Sequence, residues 1–518
     1  MEKINGRKLS LIFIFILILL VIALLVGKFT FSYLGPTISD DLETQGEVTA
    51  SGDTLIFTKG KTMSLSASTD NFATGGSNLS TTTNPKVKLI ASTKTNEASA
   101  TYYVGVLIKN NSYVYTTSGK TPELILTIKD EKGNNVTSGV DGLIYVTSGG
   151  VSGFDVTGKK GLFNIKMDYP ISTTSSSAGT THTWTFTLTF VNLGTDQSDN
   201  ENASMNVNVY LQKEEYKLPL NEYVISQYTG TQGENGLYYH DNSLANGAGD
   251  NSYRYAGASD TTNNFVCFGS TETPCPTDNL YRIIGVFEDK VKLIKYDYAT
   301  SALLGTDGDY NTRTIPKSGY PTYKGNLTTI NTYYWNYKND TSINNGAGSN
   351  DWSTSLLNKI NLNTNFLNNI GVAWANMIEN TTWKVSGISG SEPGKIYIAE
   401  ITNATKTYGP SDGTSKIGLM YVSDYGFAAA PSAWTTNISS YDDFSVTSVN
   451  WMYMGLFDWT LSPASSRSDG VFYLGNSGAS YSISANYGYA IRPVLYLKSS
   501  IAHIGGAGTI EDPIIISD

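Results

Sequence analysis

Asn450–Leu497 reads NWMYMGLFDWTLSPASSRSDGVFYLGNSGASYSISANYGYAIRPVLYL, and its reading decides the fold of the C-terminal part of the chain. Val471–Leu474 and Ser480–Ile483 flank Gly475-Asn476-Ser477-Gly478, the spacing of two strands joined by a tight turn. Tyr489–Leu497 is apolar at nearly every position, as a strand covered on both faces must be. Pro493 has no amide proton to give a ladder, so an edge or a bulge is expected there. Arg492 sits inside this run and needs a carboxylate or several carbonyls around its fork, which Asp458 or Asp469 would supply. We read Arg492 as an internal staple and Trp459 as core, both structural rather than ligand-binding.

Upstream of this stretch, Asn279–Ala299 predicts a hairpin: Tyr281–Phe287, a turn at Glu288-Asp289-Lys290, then Val291–Tyr298. Cys267 and Cys275 lie just before it. They are the only cysteines of the 518 residues, and on an exported chain such a close pair is most simply one disulfide. From Asp351 to Ile370 the apolar period becomes helical, with Asp351 or Ser353 as cap and Gly371 as stop. The Asn361, Asn363 and Asn365 run suggests two short helices. Strands are expected at Lys395–Glu400 and Ile417–Val422.

An earlier region, residues 40–212, carries short alternating runs between turn signals, the pattern of an antiparallel β-sandwich. In Thr181–Phe190 the side chains of Trp184, Phe186, Leu188 and Phe190 share one face, with Thr183, Thr185, Thr187 and Thr189 on the other. We place His182 on the threonine row, facing solvent. Ala203–Leu211 points Ala203, Met205, Val207, Val209 and Leu211 inward and Ser204, Asn206, Asn208 and Tyr210 outward. Weaker runs occur at Thr54–Thr58, Val87–Ala91, Tyr102–Ile108, Glu123–Lys129, Leu143–Thr147 and Leu162–Met167. Residues 213–234, charged and proline-containing at their start, are read as a linker to a module at 235–518.

Leu9–Gly27 is uncharged and long enough, at about 1.5 Å per residue, to cross a bilayer core as a helix. Lys3, Arg7 and Lys8 precede it and Lys28 follows. Residues 1–32 therefore read as a cytoplasmic tip and single-pass anchor, with the lipid bilayer as partner and the C-terminus outside the cell. The competing reading is a secretion signal cleaved after Ser32. Charged residues make up 15% of the chain, below the usual quarter, and 35 tyrosines contribute to a surface suited to neutral hydrogen bonding. A net charge of −10 with no basic cluster outside the N-terminus excludes nucleic acid as a partner.

Two resemblances follow from these residues. The apolar segment, the FTFSY that follows it and a Thr/Asn-rich sandwich ending in NVNVYLQ resemble the TasA/camelysin group of bacterial surface and matrix proteins. That implies a surface spacer able to assemble by strand exchange. The metalloprotease activity once attached to camelysin is not carried over, because the chain has no HExxH. Asp458-Trp459-Thr460-Leu461-Ser462-Pro463 and Tyr489-Ala490-Ile491-Arg492-Pro493-Val494-Leu495 resemble the WxLRSP and GxRPxL signatures of a C-terminal domain in surface proteins of gut Firmicutes and Mollicutes-like bacteria. A more distant likeness is to the formylglycine-generating-enzyme and C-type-lectin folds. The resemblance implies a fold that is mainly β, closing in a lectin-like α+β module. The catalytic cysteines of formylglycine-generating enzymes come late in that fold; here the only pair is early, so no enzyme is expected.

Candidate ligand-binding residues are Trp434, in the exposed-looking AAAPSAWTTN loop, with Ser465, Arg467, Asp469 and Asn476. Trp451, Trp459, Tyr453 and Tyr481 complete a possible aromatic platform with Trp434. Asp307, Asp309 and Asn311 place oxygens at alternate positions, as a calcium loop does, but the position of the closing bidentate acid holds Ser318. No other cofactor is expected. Asp241 beside His240 has no activated nucleophile to serve. The expected function is a cell-surface adhesin or binding module for a glycan or surface protein. The alternative is a structural surface or biofilm-matrix component assembling through the sandwich.

Overall fold

A computed structural model of the chain describes residues 45–50, 52–72, 75–336, 346–402 and 413–518. Leu9–Gly27 and the proposed cleavage after Ser32 lie outside them. Among the described residues no helix is long and apolar enough to cross a membrane. The chain is mainly β and divides into two compact units, Met1–Tyr216 and Lys217–Asp518.

The described residues of the first unit form three antiparallel sheets around one apolar core. Alternation does most of this, because each strand offers one row of apolar side chains every second residue. Trp184, Phe186, Leu188 and Phe190 are all buried and belong to one core cluster with Leu126, Val106, Met205 and Leu89 from other strands. Thr180–Thr183 pairs with Lys86–Ile90 in one sheet, and Thr185–Phe190 continues into another between Leu79–Thr83 and Leu124–Lys129. On the opposite row Thr187 meets the Thr82 hydroxyl at 3.0 Å and Thr189 meets the Ser80 hydroxyl at 2.9 Å.

Two assignments in this unit are corrected. His182 belongs to the tryptophan row, not the threonine row: its Nδ1 shares a 2.9 Å hydrogen bond with the Tyr102 hydroxyl, and Trp184 Nε1 donates to that same oxygen at 2.8 Å. Asn208 and Tyr210, expected outside, are buried. Asn208 accepts from Thr62 at 2.8 Å, and Tyr210 stacks on Tyr216 with centroids 3.9 Å apart, so the second face of Ser204–Gln212 is covered locally.

In the second unit Leu218–Ser226, read above as linker, forms a short strand and a helix of Leu220–Ser226. That strand pairs with Ala502–Gly505, which pairs with Ile515–Ser517, so the beginning of the unit is tied to its end. The main sheet is antiparallel in the order Leu237–His240, Ser252–Tyr255, Leu280–Phe287, Lys290–Lys295, Val494–Tyr496, Ile417–Gly418. The predicted hairpin is present, with Phe287 paired to Lys290 across a tight turn. Arg492 and Pro493 lie just before the Val494–Tyr496 strand, where Pro493 accepts from Lys295 N at 3.0 Å.

Helical structure is richer than the sequence pattern suggests. Leu357–Phe366 is π-helical and runs on through Leu367–Asn369; Gly371, at φ 86°, separates Val372–Met377. The asparagines do not break this segment, because their amides serve neighbouring backbone. Asn361 donates to Leu304 O and Asp307 O at 2.9 and 2.8 Å, and Asn363 both donates to and accepts from the Ile417 backbone. Lys395–Glu400 is not a strand but helix, through Pro393–Tyr397 and Ile398–Thr402. Of Ile417–Val422 only Ile417–Gly418 is strand, and Val422 opens a helix that ends at Ala428.

Candidate functional site

The opening stretch folds into a three-stranded sheet of Asp458–Pro463, Gly470–Leu474 and Ser480–Ser484. Register places Trp459 opposite Tyr473 and Tyr473 opposite Tyr481, so these three rings form one row across the sheet. Trp459 is fully buried, Tyr473 half-buried and Tyr481 44% exposed, so the row climbs from core to solvent. Gly488–Tyr489 pairs with Thr329–Tyr334 and brings Tyr489 against the row. Its ring centroid lies 4.7 Å from Trp459, 4.7 Å from Tyr473 and 5.4 Å from Phe457, while the half-exposed Tyr487 lies 6.4 Å away. A Cβ at Gly488 would fall 1.9 Å from the Asn311 side-chain nitrogen, so a larger residue there would have to displace that amide.

The result is a strip of four tyrosines, Tyr481, Tyr473, Tyr489 and Tyr487, backed by Phe457 and Trp459. Burial raises the phenols of Tyr473 and Tyr489 above their ordinary range, so both stay protonated as neutral donors. Tyr481 donates to Ser439 O at 3.1 Å, which fixes the exposed ring at that end of the strip. Flat rings with fixed hydroxyls are chemically suited to stacking and hydrogen bonding with a neutral polyol.

The tryptophan platform is corrected. Trp434 is 1% exposed, donates to Ala429 O at 2.9 Å and packs on Tyr238, His240 and Phe427. It cannot meet a ligand without unfolding its loop. Trp451 and Trp459 are likewise core, donating to Tyr255 O and Tyr333 O. Tyr453 is buried and its hydroxyl donates to Asn476 O at 2.7 Å. Tyr481 alone of that group reaches solvent. Sequence reasoning missed Tyr473, Tyr487 and Tyr489; the signal available was the alternation of Tyr487 and Tyr489 beside a tyrosine-bearing hairpin.

Arg467, Asp469 and Ser484 form a cluster of their own: Arg467 contacts Asp469 at 3.0 and 2.5 Å, and Ser484 Oγ donates to Asp469 at 2.7 Å. Ser484 lies on the opposite parity from Tyr481, so this cluster and the tyrosine row face different sides. The Ser465 amide is engaged with Ile388 O. Asn476 offers its carbonyl inward, to Thr322 and Tyr453.

Asp307, Asp309 and Asn311 do not converge on a common point through their hydrogen bonds. Asp307 accepts from Asn365 at 2.6 Å, buried Asp309 accepts from the Leu357 amide, and Asn311 accepts from Arg313 N at 3.3 Å. Asp307 and Asp309 thereby anchor the Leu357–Phe366 segment. Among the described residues no group of three or more His, Cys, Asp or Glu is placed to hold a metal ion. His240 is buried with Nδ1 accepting from Ala248 N; burial and the Arg254 charge hold it well below its usual range. Cys267 and Cys275 form the disulfide.

Behind the site the core is highly charged. Asp458, rather than Asp469, is the partner of Arg492: the pair is 2.5 Å apart with both side chains buried, and Arg492 also donates to Met452 O. Burial raises Asp458 to about 6 although Arg492 opposes it. Arg282 is buried among Asn264, Ser259 and Thr262, over the rings of Phe265 and Trp451, and burial brings it down to about 9. Glu400 accepts from the Val422 and Ser423 amides and from Ser462 Oγ; burial raises it to about 7. Comparison of the chain with protein-family models, with curated proteins and with solved structures finds no match.

Proposed function

We propose that this chain is a cell-surface binding protein of a bacterium, held at the membrane through Leu9–Gly27, whose C-terminal module recognises neutral glycans. The observation that carries the reading is the tyrosine strip, Tyr481–Tyr473–Tyr489–Tyr487, exposed at its two ends, half-buried between them, and set on a disulfide- and ion-pair-braced unit. A rigid scaffold presenting aromatic rings and fixed phenols loses little freedom on binding, which favours sugar recognition at modest contact area. The tie between Leu218–Pro219 and Ala502–Gly505 supports a lectin-like reading of the module. The chemistry is that of binding rather than catalysis: the acids of the same stretch, Asp458 and Asp469, are engaged with Arg492 and Arg467.

The test is binding of the full chain to an array of neutral and charged oligosaccharides. Selective retention of neutral sugars is expected. Tyr487→Ala should weaken it by about 3- to 10-fold, the worth of one aromatic contact, without loss of thermal stability. Retention unchanged in Tyr487→Ala and Tyr481→Ala would remove the strip from the reading.

A structural role is the second reading. Among the described residues Gln45–Ala50 ends its sheet, paired in the sheet order to Asp53–Thr58, and a terminal strand is a site for strand addition. Filaments of the full chain in electron microscopy, in place of monomers, would favour it.

A further inference from the structure

One buried pair in the second unit is placed for chemistry rather than only for attraction. Lys292, in the central strand Lys290–Lys295, brings Nζ to 2.6 Å from Asp424 Oδ2 in the first turn of helix Val422–Ala428. The side chains are 1% and 2% exposed. Among the described residues Asp424 is the one hydrogen-bond acceptor of this ammonium. Rings surround it, Tyr421 at 4.5 Å, Phe287 at 5.3 Å, Tyr496 at 5.4 Å and Trp383 at 6.0 Å, and the buried charges of Arg254 and Glu400 also act on it. Two full charges in such surroundings are expensive to keep, and a proton moving along the 2.6 Å contact would yield a neutral amine beside a neutral carboxylic acid.

We propose that Lys292 and Asp424 condense to an amide, cross-linking the central strand to the helix from inside the core. The Nζ–Cγ bond forms and one Cγ–O bond breaks. Of the three protons on the ammonium, the amide keeps one and two depart with the released oxygen as water, so no external acid, base or oxidant is consumed. The structure supplies stabilisation for the intermediate. The Tyr421 amide donates to Asp424 Oδ2 at 2.9 Å, and the Arg254 guanidinium stands 4.0 Å from Oδ1, both aimed where negative charge develops. Arg254 is itself balanced by Asp250 at 2.6 Å, so condensation leaves no unpaired cation behind.

The proton inventory agrees with this. Burial lowers the Lys292 ammonium below the ordinary lysine range although Asp424 opposes it, favouring the free amine that attacks. Glu400, held on the Val422 and Ser423 amides of the same helical turn, exchanges its proton near neutral pH. It is a positioning residue here, since it touches the helix backbone and not the reacting atoms.

The test uses the full chain, reduced so that Cys267–Cys275 does not contribute, then denatured and digested with trypsin for mass spectrometry. A branched peptide joining the Lys292 and Asp424 segments is expected, lighter than its two arms by one water, with no cleavage after Lys292. Lys292→Arg, which keeps a cation but cannot form this amide, and Asp424→Ala, which has no side-chain carboxyl, should each return linear peptides. If either variant fails to fold, the wild-type digest still decides. Linear peptides from wild-type protein held folded at neutral pH would overturn the proposal and leave an ion pair. Loss of water that persists in Lys292→Arg would overturn it too, by assigning the loss elsewhere.

Discussion

Among the described residues, the core of the first unit holds one buried ionisable acid, Glu123, which accepts from Thr116, Gln197 and Asn200. The core of the second holds Arg254, Arg282, Lys292, Lys295, Glu400, Asp424, Asp458 and Arg492, all at 3% exposure or less. The first is assembled from rows that alternate in and out, and its stability is mostly area removed from water, roughly 1.5–3 kcal/mol for a side chain such as Phe186. The second has short strands and many loops, and ion pairs and asparagine amides hold together what periodic packing does not. Burying apolar rows sets where a strand lies. Burying an ion pair sets which two distant segments meet, because a wrong pairing leaves a charge uncompensated.

The largest effect should come from breaking one such pair. Arg492→Ala strands Asp458 in the core and should cost about 3–5 kcal/mol in urea unfolding. Phe186→Ala in the first unit should cost a similar about 3–5 kcal/mol by leaving a cavity. The two differ in rescue. Replacing Asp458 and Arg492 together by Leu and Met should recover most of the loss, since the desolvation of both charges is removed. The two unfolding events can be followed apart, because seven of the eight tryptophans lie in Lys217–Asp518 and only Trp184 in the first unit. A double variant as unstable as Arg492→Ala would show that the pair holds the fold by more than charge compensation.

The same contrast explains what could be read from sequence. Alternation located strands of the first unit such as Asp53–Thr58, Lys86–Ile90 and Leu124–Lys129 to within a residue, but gave no expectation for Gln45–Ala50, Met63–Ser66, Leu79–Thr83 or Val151–Asp155 and stopped short of the end of Gly161–Thr173. It misjudged the face of His182, and those of Asn208 and Tyr210, where the second face is covered locally. In the second unit the hairpins at Leu280–Lys295 and Gly470–Ser484 were legible from turn chemistry. KIYIAE was not, because its alternation matches a strand. The structure buries Ile396 and Glu400, four apart, and leaves Ile398 50% exposed, the spacing of a helix after Pro393. The need for a carboxylate beside Arg492 was legible; which one, Asp458 or Asp469, was not, since that depends on the three-dimensional path. The site was least legible of all. Trp434 sits in a polar-looking loop whose burial is made by Tyr238 and Phe427, far away in sequence, whereas the exposed rings are tyrosines that local sequence does not distinguish from buried ones.

A smaller effect should appear as pH dependence confined to the second unit. Burial raises Glu400 from 4.5 to about 7, so between these values the folded state binds a proton that the unfolded state releases. Stability therefore falls as pH rises through that window, by on the order of 3 kcal/mol, and Asp458, raised to about 6, acts in the same direction. Glu400→Gln should flatten the slope above pH 6, as read by tryptophan fluorescence in urea at stepped pH. An unchanged slope would mean that Glu400 stays ionised in the fold, held by the Val422 and Ser423 amides.

The smallest effect sharpens the comparison within one stretch of chain. Arg467–Asp469 and Arg492–Asp458 are the same residue types at the same 2.5 Å, and they differ in surroundings: the Arg467 side chain is 44% exposed and that of Arg492 2%. Water solvates Arg467 whether or not the pair forms, and after its removal Asp469 keeps the Ser484 hydroxyl at 2.7 Å. Arg467→Ala should therefore cost no more than about 1 kcal/mol in the same unfolding experiment, and less at high salt, where an exposed pair is screened. Glycan retention should be unchanged, since Ser484 and its partners face away from the Tyr473–Tyr481 row. A loss as large as that of Arg492→Ala would show that the Ser465–Gly470 turn, and not burial of the charge, governs what these pairs contribute.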